Sequence, residues 1–356
     1  MNFNFPLLRP VRILLFPLSL IYGLIVFLRN RMYDSNIFSS TSFALPIICV
    51  GNLSVGGTGK SPMVEFLVKN LKGKYRIAVL SRGYKRKTKG YALANERSTA
   101  LEIGDEPMQF HVKFPDIAIA VGEERMVAIP QILHDRPATQ AIILDDAFQH
   151  RAVNAGLNIL LTDYNNLYTR DWFLPTGDLR DERASARRAA IIIVTKCPPE
   201  ISQQEKESII KEISPQAQQR VFFACLRYDQ PHHITQKNLR LITPDDEVLL
   251  VTGIANPRPL KNHLQEHSKT YYQIAYNDHH IFTIDDLRDI KKRFEQINAE
   301  KKLVITTEKD AVRLAKFDQE LKGLPFYVLP IGHHFLFGEA QSFIDLIGNF
   351  ISTYKR

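Results

Sequence analysis

Cysteine is scarce in this chain of 356 residues: only Cys49, Cys197 and Cys225 occur, far apart and without a CxxC. An odd, scattered set indicates neither a disulfide framework nor a zinc site and fits a reducing compartment. Internal repeats and low-complexity tracts are missing as well. The longest apolar run is short for a membrane span. The apolar run from Ile13 to Leu28 has sixteen residues, about 24 Å as a helix, where a crossing needs about 20 residues. No small-residue cleavage site follows it, since Phe27-Leu28-Arg29-Asn30-Arg31 comes next, and a secretory signal is therefore not indicated.

The remainder of the composition is ordinary for a folded soluble protein, with 45% apolar and 24% charged residues. That argues against a disordered chain, a fibre or a polytopic membrane protein. The length suggests about two domains, each large enough to bury its own core. The formal charge is 46 − 38 = +8. A basic surplus suits nucleic acid, anionic lipid or a phosphorylated substrate without choosing among them. Arg9 and Arg12 precede the apolar run, and Arg29 and Arg31 follow it. This flanking fits a helix lying in, or dipping into, an anionic leaflet. The alternative is a buried core helix kinked at Pro17.

From residue 46 onward, nearly continuous apolar runs alternate with helix-like stretches. Strands are expected at Ile47–Val50, Ile77–Leu80, Ile117–Val121, Ala141–Leu144, Leu157–Leu161 and Ile191–Thr195. Such runs are typical of parallel strands covered on both faces, and the alternation predicts a doubly wound α/β sheet. Glu247–Thr252, Tyr271–Ala275 and Leu303–Thr306, with a helix over Ile284–Ile297, predict a second, smaller α/β domain. Val221–Tyr228 and Phe326–Ile331 are expected to pair as a two-stranded hinge, and Glu339–Tyr354 to return to the first domain. The expected divisions are a membrane-associated helix over 1–31, a first domain over 32–220, a second over 221–331 and a C-terminal segment over 332–356.

The strand-like Ile47–Asn52 is followed by Ser54, Val55, Gly56, Gly57, Thr58, Gly59, Lys60 and Ser61, and then by a helix-like stretch over Met63–Leu71. Strand, glycine-rich loop, Lys-Ser and helix make a P-loop layout. The glycines let backbone N–H groups turn toward phosphate oxygens, Lys60 reaches the β and γ phosphates, and the Ser61 hydroxyl is a Mg2+ ligand. Ser54 stands where the strict pattern has glycine. The bland alternative is a glycine-rich turn that binds nothing. Ala141–Leu144 ends in Asp145 and Asp146, adjacent acids that repel unless a cation sits between them. A solvated turn is the alternative there, and Ala147-Phe148-Gln149-His150-Arg151 is too polar and too specific for an ordinary one.

The ordered motifs GNLSVGGTGKSP, SRGYKRK, GDEP, DDAFQH, LPTGDLRD and NDHH resemble the tetraacyldisaccharide 4'-kinase (lipid A 4'-kinase) family, from the apolar N-terminus to at least TTEKDAVRL near residue 310. The resemblance implies a P-loop kinase domain. It implies transfer of the ATP γ-phosphate, with Mg2+, to the 4'-hydroxyl of tetraacyldisaccharide 1-phosphate at the cytoplasmic face of the bacterial inner membrane. By resemblance Asp105 and His279 form a catalytic pair. Asp145 and Asp146 organise Mg2+ and nucleotide, while Arg82, Tyr84, His150, Arg180 and Asp181 serve the lipid head group. Read alone, Asp105 is equally a helix N-cap, Asn277-Asp278-His279-His280 a surface turn, and Arg82–Lys89 a solvated basic stretch. Two departures stand out. Asp181 is one methylene shorter than the family's usual glutamate, and Ala147 replaces its usual glycine, which implies that no positive φ is needed there. Thr307-Glu308-Lys309-Asp310 reads foremost as a helix cap. His232-His233 and His333-His334 have no metal-ligand spacing and stay unassigned. A membrane-associated P-loop switch is the competing function, but Thr195-Lys196-Cys197-Pro198 lacks the guanine-specific Asn-Lys-x-Asp. The anionic inner-membrane surface is the expected second partner. Nucleic acid is not expected, for want of an RNA-binding motif or stacking platform, and no obligate protein partner is indicated.

Overall fold

In a computed structural model, residues 12–354 are described; the expectations for residues 1–11 lie outside them. Fourteen strands form among these residues: β1 (Ile47–Asn52), β2 (Ile77–Ser81), β3 (Ala92–Leu93), β4 (Ala118–Val121), β5 (Ala141–Asp145), β6 (Leu157–Asp163), β7 (Ile191–Thr195), β8 (Arg220–Tyr228), β9 (His232–His233), β10 (Glu247–Thr252), β11 (Thr270–Ala275), β12 (Lys302–Thr307), β13 (Phe326–Leu329) and β14 (Ile331–Phe335). The main helices are α1 (Phe16–Asp34), α2 (Lys60–Leu71), α3 (Asp105–Lys113), α4 (Arg125–Asp135), α5 (Gln203–Ile213), α6 (Arg258–His267), α7 (Ile284–Glu295), α8 (Glu308–Leu314) and α9 (Ala340–Thr353).

The strands form a nine-stranded sheet, ordered β14-β8-β7-β6-β1-β5-β2-β4-β3, and a five-stranded sheet, ordered β11-β10-β12-β13-β9. The large sheet is parallel except at its edges, where β14 and β3 run antiparallel. Its strands are apolar throughout because both faces are covered. In β1, Ile47 and Cys49 pack into one layer, with Ile129 and Ile132 of α4 and Ile209 and Ile213 of α5. Ile48 and Val50 enter the opposite layer, with Leu67 of α2 and with Phe343 and Ile347 of α9. The C-terminal helix thus returns to the large sheet, as its amphipathic pattern implies. The small sheet repeats the scheme, with Val304 facing Leu287 and Ile290 of α7, and Ile305 facing Leu264 of α6.

One expectation needs correction. The run Phe326–Ile331 is not a single hinge strand. Pro330 lacks an N–H and divides it, so that β13 joins the small sheet while β14 pairs with β8 at the edge of the large one. The two-stranded connection therefore consists of β8 and Ile331–Phe335.

Helix α1 is not a core helix, and Pro17 does not kink it, because it sits in the first turn. The side facing the protein is the polar one. Ser19, Gly23, Val26 and Asn30 are buried at helical spacing. Ser19 Oγ lies 3.0 Å from Phe173 O and 2.8 Å from Thr176 Oγ1, and Asn30 Nδ2 donates to Asp181 at 2.8 Å. Leu14, Leu18, Ile21, Leu24, Ile25 and Leu28 are each more than half exposed.

Candidate active site

The glycine loop leaves β1 at the middle of the large sheet and turns into α2. Gly59, at φ +83°, is the residue before the helix, and Lys60 and Ser61 form its first turn. Backbone N–H groups at a helix start have no intrahelical partners and point outward, which makes this end an anion site. The 172–180 segment braces the loop: Val55 N donates to Asp178 O at 2.7 Å and Arg180 N to Leu53 O at 2.8 Å. Ser54 bridges Leu179 and is not among the positive-φ residues, so glycine is not required there. A cavity of about 310 Å³ opens beside Ser54–Thr58 and is walled by Thr162, Asp163, Lys196 and Asn256.

Around Lys60 the charges alternate in sign. Lys60 Nζ lies 3.3 Å from Asn52 Oδ1 and 3.7 Å from Asp146 Oδ1. Arg180 donates to Asn52 Oδ1 at 2.6 Å and pairs with Asp146. Burial opposes ionisation of Asp146, but Lys60 and Arg180 outweigh it and lower its pKa. Asp146 takes the left-handed conformation at φ +48°, and Ala147 is not among the positive-φ residues, which explains why alanine is accepted. Asp145 ends β5 fully buried and accepts from Ser81 Oγ at 2.9 Å. Burial, then Glu106 and Asp146, push its carboxyl up to about 7. Three crowded carboxylates, Asp145, Asp146 and Glu106, the last accepting from the Ser61 hydroxyl, suit a divalent cation. No cluster of three His, Cys, Asp or Glu side chains with metal-binding geometry occurs among the described residues. A Mg2+ held here would therefore rest on Ser61, the Asp145–Asp146 end of β5 and the bound phosphates.

The acid–base side comes from both sheets. Gly104, at φ +94°, precedes α3 and lies so close to Gly83 and Tyr84 that a Cβ would crowd their backbone at 3.2–3.3 Å. The loop after β2 is thereby held against Asp105, the first residue of α3. The turn after β11 delivers His279, at φ +65°. An L-residue held there is under backbone strain of the kind that collects at functional sites. His279 Nδ1 lies 2.7 Å from Asp105 Oδ2, and the Tyr84 ring lies 6.2 Å from the imidazole. Burial raises the Asp105 pKa, but hydrogen bonds from His279 and Arg313 override it and hold the carboxyl well below the usual range.

The expected lipid contacts divide. Arg82 and Tyr84 are exposed on the loop after β2, as are Lys85, Lys87 and Lys89. Arg86 instead pairs with Glu123 at 2.7 Å. His150 is half-buried with Nε2 unpartnered; burial and then nearby arginines lower its pKa. Arg180 points at Asp146 and Asn52 rather than standing free. Asp181 is fully buried and accepts from Asn30, Ser185, Arg188 and Glu182 N, so it anchors α1. Its shorter side chain costs no reach to a ligand.

Four neighbours have no role at the site assigned from the sequence: Asn52, Glu106 and Lys309, which lie inside motifs read for other residues, and His333, which is unassigned. Glu106 accepts from Ser61 Oγ at 3.0 Å and from Lys309 Nζ at 2.7 Å. His333 Nε2 lies 2.8 Å from Gly59 O, which makes Nε2 the protonated nitrogen. Thr307 caps α8 as read, its Oγ1 accepting from Asp310 N at 3.1 Å.

The family model for tetraacyldisaccharide-1-P 4'-kinase matches residues 11–351. A tetraacyldisaccharide 4'-kinase from Bacteroides thetaiotaomicron is 44% identical over 359 aligned residues, covering 96% of this chain and 94% of that one. One from Flavobacterium johnsoniae is 44% identical, covering 92% and 93%. Among solved structures, LpxK from Aquifex aeolicus in complex with ATP superposes with a TM-score of 0.75 at 26% identity, covering 96% of this chain and 99% of that chain.

Proposed function

The chain belongs to the tetraacyldisaccharide-1-P 4'-kinase family, and from that premise we propose how its residues perform the reaction. The enzyme is a kinase of lipid A biosynthesis. It transfers the γ-phosphate of ATP to the 4'-hydroxyl of tetraacyldisaccharide 1-phosphate and uses Mg2+. Nothing in the similarities supports a P-loop switch.

The observation that carries the assignment of roles is the 2.7 Å contact of Asp105 with His279, one residue along α3 from the Glu106–Ser61 hydrogen bond. The amides of Gly56, Gly57 and Gly59 and the Lys60 ammonium take the β and γ phosphates, and the cavity beside them has room for the rest of the nucleotide. Ser61, Asp145 and Asp146 are the residues that would hold Mg2+, which would supply neutralisation of the charge developing on the phosphates. Arg180 keeps Asp146 ionised and aligned. His279, oriented by Asp105, takes the proton of the 4'-hydroxyl. Arg82 and Tyr84 present a cation and a ring to the phosphorylated disaccharide. His150 adds a neutral imidazole donor or acceptor beside the cleft. Because most of this work is positioning and charge stabilisation, small displacements of these groups are costly to the rate.

The inverted amphipathicity of α1 supports a peripheral place at the cytoplasmic face of the inner membrane. Its polar stripe is spent on the protein, its apolar face is left exposed among the described residues, and the basic residues Arg29 and Arg31 near its C-terminal end suit an anionic surface. The test is transfer of radiolabelled γ-phosphate from ATP to purified tetraacyldisaccharide 1-phosphate, with the product identified as the 1,4'-bisphosphate. ATP hydrolysis without a labelled lipid would refute the reading.

A further inference from the structure

The helix cap at Thr307 leaves three charged side chains of α8 without a reason, and each of them meets α3. Glu308 Oε1 lies 2.6 Å from Lys113 Nζ, Lys309 Nζ lies 2.7 Å from Glu106, and Arg313 meets Asp105. The small sheet thus touches the catalytic helix along an ionic seam. Arg313 is the member that reaches the reacting groups. Its Nε donates to Asp105 Oδ1 at 3.1 Å and its Nη2 to Asp105 Oδ2 at 2.6 Å. Its Nη1 is tied back to Asp310 Oδ1 at 3.2 Å and Gly253 O at 3.3 Å. Nη2 also lies 3.1 Å from His279 Nδ1. A rigid guanidinium fork, buried and anchored in the small sheet's own frame, therefore grips both oxygens of the aspartate. A lysine cannot reproduce this, because it carries its charge at one point.

We propose that Arg313 is a positioning residue for the Asp105–His279 pair: it fixes the Asp105 carboxylate through both oxygens, so that the carboxylate orients the imidazole and the proton from the acceptor hydroxyl rests on His279. The inference builds on the assignment of that pair above. In the transfer step the hydroxyl oxygen forms a bond to the γ-phosphorus. The bond from that phosphorus to the bridging oxygen breaks with its electrons leaving on ADP, and the hydroxyl proton goes to Nε2 of His279, the nitrogen turned away from Asp105. The charged groups facing Asp105 are Arg313, Lys309 and Asp310 from α8, and His279 with Asp278 beside it from the turn after β11; Glu106 lies on its own helix. Loss of Arg313 removes a permanent positive charge from the carboxylate and a cation from beside the imidazole. Both changes ease protonation of the pair, so the acid limb of the kcat profile moves to higher pH.

The experiment compares Arg313→Gln, Arg313→Lys, Asp105→Asn and the double variant Asp105→Asn/Arg313→Gln in the full chain. Thermal unfolding and ATP binding are measured on the same samples. Arg313→Gln is expected to lower kcat on the order of 10²-fold, keep ATP binding, and raise the acid limb. Arg313→Lys keeps the charge without the fork and should recover part of kcat with the acid limb near its native position. The double variant should be no slower than Asp105→Asn alone. An unmoved acid limb in Arg313→Gln, multiplicative losses in the double variant, or failure of both Arg313 variants to fold would each overturn the proposal. Full activity in Asp105→Asn would instead remove the catalytic pair on which it rests.

Discussion

The phosphate loop and the Asp105–His279 pair are two halves of one site built in opposite ways. The loop is eight consecutive residues, Ser54 to Ser61, whose chemistry is mostly backbone N–H groups and one lysine at a helix start. The pair joins residues 174 positions apart, one from each sheet. Local sequence suffices to shape the first half. The second exists only while the two sheets stay docked, and the ion pairs across them are Lys113 with Glu308, Glu106 with Lys309, and Asp105 with Arg313. A fault in the loop should therefore weaken nucleotide binding and transfer together. A fault at the pair should stop transfer and leave ATP bound.

Five variants put this contrast to the test. Lys60→Ala should have the largest effect, lowering transfer on the order of 10³-fold or more and weakening ATP binding, with unfolding temperature unchanged. Steady-state kinetics and nucleotide titration check it. Asp105→Ala and His279→Ala should each lower kcat on the order of 10²-fold while ATP binding, read by calorimetry, stays native. His333 tests the support behind the loop, since it lies on β14 of the same sheet and meets Gly59 O. Burial holds its pKa down at about 4, from an ordinary 6.5, so the unfolded chain takes up the proton first as pH falls. Stability contributed by the neutral ring is complete above about 6.5 and lost toward 4, by up to ~3 kcal/mol. His333→Gln keeps a donor for Gly59 O and does not titrate, and urea unfolding across that window should show a flatter pH dependence. The smallest effect lies outside both halves. Replacing Leu18, Ile21 and Leu24 by serine on the exposed face of α1 should release the protein from anionic vesicles. It should also raise KM for micellar lipid by roughly tenfold, with kcat and KM for ATP unchanged.

The contrast also explains what is legible in the sequence. β1, β5 and β7 announce themselves because both faces of each strand are buried, leaving continuous apolar runs. The loop is legible because its function needs adjacent residues. Phe326–Ile331 reads as one strand because the apolar character runs straight through Pro330, and only the missing N–H divides it. Asp181 is given a substrate role only by the family resemblance of its motif, yet the buried Asn30 of α1 claims it. The pairings of Arg313 and Lys309 with α3 are unreadable for a plainer reason: a charge pair across some 200 residues leaves no period or spacing in the chain, even where the residues sit in family motifs. His333 sits in an apolar strand as an unremarkable ring, and its meaning emerges only when the Gly59 carbonyl arrives from a helix start more than 270 residues earlier.

The union of the two sheets at the reacting centre is tested most directly by a double-variant cycle on kcat. Asp105→Ala, His279→Ala and the double variant are assayed with saturating ATP and tetraacyldisaccharide 1-phosphate. Residues acting as one unit lose their effect together. The double variant should then be little slower than the worse single variant, with ATP binding intact in all three. A double variant slower by the product of the two single losses would mean that Asp105 and His279 act independently, and that the site is not built across the sheets.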